Sequence, residues 1–324
     1  METLNEVVLP YAEWQPTKET IHRYLQIVGK LRLAVSPRRN HWWNVPFHVT
    51  ASGITTRPMG RDPVFAIDFD FIDHRLIVAT NHGSRSSFSL QGLSVAEFHD
   101  ALVHAMLAVG ADPFPILLSR PFDLPDSDRQ FRVDDEHRSY DPSAAATYWR
   151  VLADVNILLE EFCGRYSGKT SPVHHFWHTF DIAATRFSDA IVEHGGGVDP
   201  VTREAYSREV MSSGLWFGDA ETPEPAFYAY TSPEPNGLSD QALPEGANWR
   251  PRGGEHLAVF PLSAAQRTGD VRMAALEFWE VAYRAGAMLA NWDIDRLSCP
   301  DGVTDPLLRI SGASTAAPLR ASRS

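Results

Sequence analysis

The sequence predicts an α+β fold made by internal duplication, in which a helix, a three-to-four-stranded antiparallel sheet and a second helix occur twice. The main observation is an ungapped match of SPVHHFWHTFDIAATRFS at Ser171–Ser188 to HWWNVPFHVTASGIT at His41–Thr55. The aligned pairs include Phe180 with Phe47 and Asp181 with His48. Alternating strands follow both segments and long amphipathic helices flank them. We therefore expect two halves related by a pseudo-two-fold axis.

The first half is predicted to occupy residues 10–125. After an extended arm, Pro10–Thr17, a helix begins at Thr17 as its N-cap and ends before Pro37, with apolar residues near a 3.6 period. Apolar and polar side chains then alternate, which is typical of half-buried strands. The predicted strands are His41–Thr56, Val64–Ile72, Arg75–Thr80 and Arg85–Leu90, and the helix Ser94–Val109 follows.

Two polar segments separate and interrupt the halves. The proline-rich stretch Asp112–Asp126 indicates an extended segment or edge strand, and the acidic residues 126–142 are predicted to be a linker. The second half is predicted at residues 143–297, with an insertion at 189–225 that contains a short helix, Pro200–Ser212. Its other predicted elements are helix Ser143–Tyr166, strands Ala226–Thr231 and His256–Leu262, and helix Asp270–Asn291. The tail, residues 298–324, is low in complexity and is predicted to be disordered.

Composition excludes several classes of partner. The 324 residues are 44% apolar and 22% charged, as in a globular protein, and the net charge is -12 with arginines scattered along the chain. Nucleic acid is therefore not an expected partner. No long apolar run or secretory signal is present, so we expect no membrane contact and a cytoplasmic location. Cys163 and Cys299 cannot form a disulfide framework. The oligomeric state stays open.

Several short stretches of the sequence are distinctive. They are PYAEWQPTKETIH, HWW at His41–Trp43, HRSYDP, the central SPVHHFWHTFDIAATRFS, EAYSREV at Glu204–Val210 and FYAYTSPEP at Phe227–Pro235. In these runs, from about Leu9 to Asp293, the chain resembles a bacterial family catalogued only as a domain of unknown function, 5996 in its series. The resemblance implies no activity. It implies only motif positions at His41, His174, Asp181 and Arg186, with departures at His175 and His178, where the family pattern is closer to Phe and Gly.

The first candidate site joins three histidines to one carboxylate. His41, His48, His174 and Asp181 are candidate catalytic residues, and His41, His174 and Asp181 are candidate metal ligands. Neutral imidazoles with one carboxylate are a ligand set that zinc or non-haem iron accepts. In a regular strand His174 and Asp181 point to opposite faces, so a shared site requires a kink. The alternative is that these histidines only form hydrogen bonds at a sheet edge.

Further candidates are substrate-binding residues. Asp68 and Asp70 share a strand face and could form an acid/base pair or a cation site, or they could face solvent. Arg186 with Tyr228 and Tyr230 could hold a carboxylate or phosphate, and the alternative is a structural salt bridge. The inserted helix would place Tyr206 and Glu209 on one face over a site.

The sequence contains none of the strong catalytic motifs. It has no GxGxxG after a strand, no GxxxxGK[ST], no GxSxG and no HExxH. A nucleotide or nicotinamide enzyme of a common fold is therefore disfavoured. The predicted function is an enzyme acting on a small polar metabolite at the seam between the two halves, with metal assistance as an option. The alternative is a non-catalytic metabolite-binding or scaffold protein.

Overall fold

A computed structural model of the protein describes residues 2–305 and 307–308. The helices are α1 (Glu2–Glu6), α2 (Tyr11–Val35), α3 (Val95–Ala108), α4 (Pro142–Gly164), α5 (Pro200–Ala205), α6 (Leu262–Gln266), α7 (Val271–Leu289) and α8 (Ile294–Leu297). The strands are β1 (His48–Val49), β2 (Gly53–Thr55), β3 (Phe65–Asp70), β4 (Arg75–Thr80), β5 (Arg85–Ser89), β6 (His174–Phe176), β7 (Asp181–Ile191), β8 (Arg208–Trp216), β9 (Ala226–Ser232), β10 (Asn248–Arg252) and β11 (Glu255–Pro261).

The strands form two antiparallel sheets, which confirms a mixed α+β fold. The first sheet has five strands in the order β1-β2-β3-β4-β5, and the second has six in the order β10-β11-β9-β8-β7-β6. The expected three to four strands per sheet are too few. Strand β8 lies between β7 and β9 in the segment predicted to be an insertion, and β10 was assigned to no element. Residues 208–216 are thus a central strand of the second sheet.

The two sheets meet edge to edge. Phe47, just before β1, and His175 of β6 exchange backbone hydrogen bonds of 2.9 Å in both directions. Because β1 and β6 are the end strands of their sheets, this bridge connects the strand pairing of one sheet to that of the other. We call this junction of β1 and β6 the seam.

The helices cover one face of the sheets and enclose one core. In the second sheet α4 and α7 share a face, because Arg186 of β7 contacts Phe162 of α4 and Glu280 of α7. In the first sheet the alternate residues of β3 are buried, and Phe69 stacks 6.1 Å from Phe98 of α3. Each buried aromatic or aliphatic side chain contributes roughly 1.5–3 kcal/mol. The predicted 3.6 and 2.0 periods therefore do correspond to the buried faces.

The first helix begins earlier than predicted. Residues 10–17 were expected to form an extended arm, but α2 starts at Tyr11 and includes Pro16. Trp14 in this first part is buried, with its ring 5.8 Å from Tyr148 and 5.7 Å from Phe217. Burial of this large side chain offsets the hydrogen bond that the proline cannot make.

The predicted equivalence of Phe47–Thr55 and Phe180–Ser188 is wrong. The first segment is a hairpin, in which β1 ends at Val49 and β2 returns so that His48 lies opposite Thr55. The second segment belongs to the continuous strand β7. The hydroxyl of Thr50 accepts a 3.0 Å hydrogen bond from the Gly53 amide and closes the turn. Phe47 therefore does not superpose on Phe180, nor His48 on Asp181, in the predicted way.

Three further segments differ from expectation. Residues 112–126 contain a 3-10 turn at Phe114–Ile116 and no strand. The predicted linker is tied to the core, since Arg23 of α2 binds Asp126 at 2.7 Å. The predicted helix Pro200–Ser212 ends at Ala205, because Arg208 already pairs with Ile191 in the sheet. Residues 309–324 of the predicted tail lie outside the described residues.

Candidate functional site

His48 and His174 come together at the seam. They lie on the facing strands β1 and β6, with ring centroids 5.2 Å apart, and both are buried. Burial, followed by repulsion from Arg57 and Arg32, lowers the pKa of His48 to about 3. Burial also lowers the pKa of His174 well below its usual value. Two of the four predicted catalytic residues therefore form one neutral pair.

His41 is placed elsewhere and both its ring nitrogens are engaged. Its Nδ1 donates to the carbonyls of Glu204 and Ala205, each at 3.2 Å, and its Nε2 accepts from Lys169 Nζ at 2.7 Å. Burial and the neighbouring ammonium lower the pKa of His41. Its role here is to hold α5 against the 3-10 turn Asn40–Trp42. Since no lone pair is left for a cation, His41 is not disposed as a metal ligand.

The predicted metal ligands are not gathered. Within residues 2–305 and 307–308, the group of ligand atoms that lie within 4.8 Å of one another is Asp126, Asp134 and His137. His41, His174 and Asp181 form no such group, which corrects the predicted ligand set. The acidic group is already neutralised, because Arg23 and Arg129 bind its carboxylates at 2.7 and 3.1 Å. We therefore interpret it as an ion-pair cluster that fastens residues 126–137 to α2.

Asp181 instead belongs to a buried hydrogen-bonded pair with Tyr228. The Tyr228 hydroxyl donates to Asp181 Oδ2 and the Thr179 hydroxyl to Oδ1. The ring reaches Asp181 by crossing Gly214, where an added Cβ would lie 2.7 Å from its Cζ. Burial first, and then the nearby carboxylate, raise the pKa of Tyr228 well above its usual value. This tyrosine therefore stays a neutral donor.

Tyr206 and Tyr230 also meet, as part of the same sheet face. Their hydroxyl oxygens are 3.0 Å apart, and the ring of Tyr230 is stacked on Tyr228 at 6.3 Å. Burial and Tyr206 raise the pKa of Tyr230. The sequence predicted Tyr228 and Tyr230 on one strand face, but it placed Tyr206 with Glu209 on a helix that ends one residue before Tyr206.

Arg186 lies on the opposite face and binds no part of this group. Its Nη1 donates to Glu280 at 3.1 Å, its Nη2 donates to the Phe162 carbonyl, and its guanidinium lies 3.6 Å above the Phe162 ring. In the register of the sheet Arg186 is paired with Met211, whereas Tyr228 is paired with Gly214. Alternation therefore separates the arginine from the tyrosines. Arg186, which was a candidate for holding an anionic substrate, instead forms a structural salt bridge with Glu280, the alternative that the sequence also allowed.

The remaining candidates have local structural roles. Asp70 accepts hydrogen bonds of 2.9 Å from the amides of Ile72 and Asp73, and so stabilises the β3–β4 turn. Asp68 is half-buried on β3, on the same strand face as Asp70. Glu209 lies in β8 and accepts from Trp292 Nε1 at 2.9 Å. The observed contacts of Asp70 and Glu209 are therefore structural hydrogen bonds.

A cleft of about 520 Å³ opens beside the tyrosines, where β7 and β9 end and β10 turns into β11. Tyr206 and Tyr230 contribute to its wall. The other lining residues include Glu193, His194, Ser232, Arg252, Glu255 and His256. The Arg252 guanidinium lies 5.6 Å above the Tyr230 ring. The cleft places a cation, carboxylates and imidazoles around one space.

His256 is the most catalytically disposed group of the cleft. Its Nδ1 lies 2.7 Å from Glu234 Oε1, and its backbone amide donates to the other oxygen of the same carboxylate. A carboxylate only accepts, so Nδ1 donates to Glu234, and in the corresponding neutral tautomer the lone pair is on Nε2. The His256 side chain is 32% exposed. Its free nitrogen is therefore available to a molecule in the cleft.

Sequence reasoning missed both members of this pair. Glu234 lies within the FYAYTSPEP run and His256 begins a predicted strand, but 22 positions separate them. No known motif has that spacing. The available signal was Glu234 itself, a charged residue between two prolines in the FYAYTSPEP run. The pairing itself depends on how the β10–β11 hairpin folds back onto the end of β9.

The protein is of the α+β class, with two edge-joined antiparallel sheets covered by helices on one face. A histidine-containing cleft lies at strand ends of the second sheet. The chain belongs to the family of unknown function DUF5996, whose match spans residues 7–299. No curated protein and no solved structure matches it. Of the helices that the structure describes, none has the length and apolar character needed to cross a membrane.

Proposed function

We propose that the protein is an enzyme that acts on a small polar metabolite in the cleft beside Tyr206 and Tyr230, with His256 as general base. The observation that carries the proposal is that His256, on the wall of that cleft, is paired with the carboxylate of Glu234. An imidazole that is oriented by a carboxylate and open to a pocket is the recurring arrangement for proton abstraction. The cleft volume falls within the range of small-molecule sites.

Glu234 supports the base in two ways. Because its carboxylate holds both the ring nitrogen and the backbone amide of His256, the imidazole cannot rotate away from the cleft. Its negative charge also stabilises the imidazolium that forms when Nε2 takes a proton from the substrate. Such a positioned base contributes roughly 10²–10⁴-fold to a rate.

The other groups of the cleft fit a polar, partly anionic substrate. Arg252 supplies a cation at the rim, and Tyr206 and Tyr230 supply hydroxyls, of which that of Tyr230 is kept neutral by burial. The net charge of -12 favours a small-molecule ligand over nucleic acid. The two buried thiols, Cys163 and Cys299, form no disulfide, which suits the cytoplasm.

A duplication in a different register accompanies the proposal. The order helix, hairpin, strands, helix occurs as α2 to α3 and again as α4 to α7. Outward from the seam, β1 to β5 of the first sheet and β6 to β9 of the second follow in sequence order. This order matches β1 with β6 and β2 with β7. When β2–β4 are superposed on β7–β9, α2 should fall on α4 and α3 on α7. If, after this superposition, a helix of one half lay on the opposite sheet face from its counterpart, the repeat would be contradicted.

The experiment combines ligand discovery with turnover. A library of polar metabolites is screened by thermal shift, and each hit is followed by NMR for conversion by the wild type and by His256→Gln and Glu234→Gln. We expect His256→Gln to bind the hit and to lose at least about a hundredfold in turnover. His82→Gln, whose parent side chain is 64% exposed on the first sheet, is the matched control and should behave as wild type.

The rival is a binding protein that uses the same cleft without catalysis. A ligand at a hundred times its dissociation constant stabilises the fold by about 2.7 kcal/mol, whether or not it reacts. If hits stabilise the protein but none is converted, and His256→Gln binds as the wild type does, the enzyme proposal fails and the binding function replaces it.

A further inference from the structure

A cluster of positive charge without a counter-ion surrounds the histidine pair at the seam. Arg32, Arg39 and Arg57 all repel the protonated form of His174, and all three act on His48. Arg32 is 5% exposed, in the last turn of α2, and no carboxylate of the described chain pairs with any of these arginines at 4.0 Å or less. An unpaired buried guanidinium is rare in a chain of net charge -12.

Hydrogen-bonding capacity at this place is also unfilled. His174 Nε2, Arg32 Nε and Ser36 Oγ are buried and have no hydrogen-bond partner among the residues the structure describes. His174 is only 1% exposed. A buried polar group that is left without a hydrogen bond destabilises the fold. Three such atoms beside a set of cations indicate that an acceptor belongs there.

The positive charges of this cluster repel one another. Burial, followed by Arg57, lowers the pKa of Arg32 to about 10. Desolvation and mutual repulsion therefore act on the arginine as they do on both histidines. A negative charge would offset the repulsion among these cations, and each of the groups can donate a hydrogen bond to it.

Arg57 is held in an unusual backbone conformation at the exposed rim of the cluster. Its φ is 59°, in the left-handed region that non-glycine residues seldom adopt. The Thr55 hydroxyl accepts from its amide at 3.0 Å, and the Thr56 hydroxyl donates to its carbonyl at 2.8 Å. Backbone strain of this kind is concentrated at functional sites.

We propose that the seam is a binding site for a small oxyanion of the phosphate type, held by Arg32 and Arg57 with His48 and His174 as further donors. A guanidinium presents a rigid fork that matches two oxygens of such a group. The Trp43 ring lies 6.3 Å from His174, and the Arg39 guanidinium lies 5.9 Å above the Trp43 ring, so Arg39 adds a further cation beside the pair. None of these residues lines the cleft of His256, so the proposal stands apart from the proposed function.

The test measures binding of inorganic phosphate to the full chain by calorimetry and thermal shift, at constant ionic strength against chloride. We expect phosphate to raise the melting temperature and chloride to leave it unchanged. Phosphate should also shift the imidazole resonances of His48 and His174 while those of His82 stay fixed. Methyl phosphate forms the second arm, because binding of the ester at least as tight as that of free phosphate indicates a phosphorylated metabolite as the ligand.

Arg57→Gln is the decisive variant, because this side chain is exposed and its loss leaves the fold intact. It should weaken phosphate binding about tenfold, the value of one charge-assisted contact. Arg61→Gln removes the same charge from an exposed neighbour outside the proposed site, and should bind as wild type. Equal effects of phosphate and chloride, or equal binding by the two variants, would overturn the proposal. Binding of an oligonucleotide by the protein, without binding of phosphate, would also overturn the proposal.

Discussion

Arg186 illustrates how one residue can be chemically suited to a site and yet belong to the core. Its guanidinium is sandwiched by aromatic rings, 3.6 Å from Phe162 and 4.5 Å from Tyr283, and reaches Glu280 at 3.1 Å. A planar, delocalised cation stacks on rings in a way that a compact ammonium cannot. The residue therefore ties β7 to α4 and α7.

Replacement of Arg186 by lysine should lower the free energy of unfolding by about 3 kcal/mol, because a buried ion pair loses its geometry while the Glu280 charge stays. Arg284→Lys is the control, since Arg284 binds the same Glu280 at 3.0 Å but its side chain is 55% exposed. That change should cost under about 0.5 kcal/mol. Urea unfolding curves give both values, and similar costs for the two variants would refute the structural role of Arg186.

At the scale of elements, helix α2 packs against the second half of the chain at a glycine. Gly29 lies under the Trp177 indole, and a Cβ added there would overlap three atoms of that ring. His22 of the same helix donates from Nε2 to the Trp177 carbonyl at 3.0 Å. Trp177 lies in the turn that joins β6 to β7, so this contact positions α2 over the turn.

Gly29→Ala should destabilise the protein by about 1–3 kcal/mol, although alanine favours helix formation, because the tertiary overlap exceeds the gain in propensity. Gly164→Ala, at the end of α4, meets no atom within 4 Å and should be neutral or stabilising by up to about 1 kcal/mol. Thermal or urea denaturation distinguishes them. A Gly29→Ala variant that is as stable as wild type would show that α2 does not sit this close to the turn.

At the scale of the whole molecule, several buried histidines are neutral in the folded state. Burial lowers the pKa of His22, His48 and His175 to about 3, and that of His174 well below its usual value. The unfolded chain protonates these residues near pH 6.5. It therefore binds more protons than the folded chain at any pH between the two values.

Stability should be complete above about pH 6.5 and should fall as the pH is lowered toward the folded pKa values. Each histidine contributes a slope of about 1.4 kcal/mol per pH unit between roughly pH 6 and pH 4. His22→Gln keeps a donor to the Trp177 carbonyl but cannot titrate. The slope of its unfolding free energy against pH should therefore be smaller by about 1.4 kcal/mol per pH unit, the equivalent of one proton. The slope is measured from urea unfolding at a series of pH values.

His104→Gln, at an exposed position of α3, controls for the substitution itself and should leave the slope unchanged. An unchanged slope in His22→Gln would mean that His22 is protonated in the folded state, against its burial.

The sequence by itself determined the elements that depend on local pattern. Strand β4 has the predicted bounds, β3 and β9 are close to them, and α3, α4 and α7 end within two residues of prediction. Side-chain alternation and helical periodicity are properties of consecutive residues, so they are visible before any long-range contact forms. For the same reason the sequence identified Tyr228 and Tyr230 as neighbours on one strand face.

Only the tertiary structure decided which side chains meet across strands. One turn at Gly53 converts a predicted strand into a hairpin and brings His48 to His174, and the fold of the β10–β11 hairpin brings His256 to Glu234. Arginines scattered along the chain likewise gather at the seam. The reason is physical: a strand's own pattern states which face a residue takes, whereas its neighbours depend on sheet order and register, and these are chosen by the packing of the whole core.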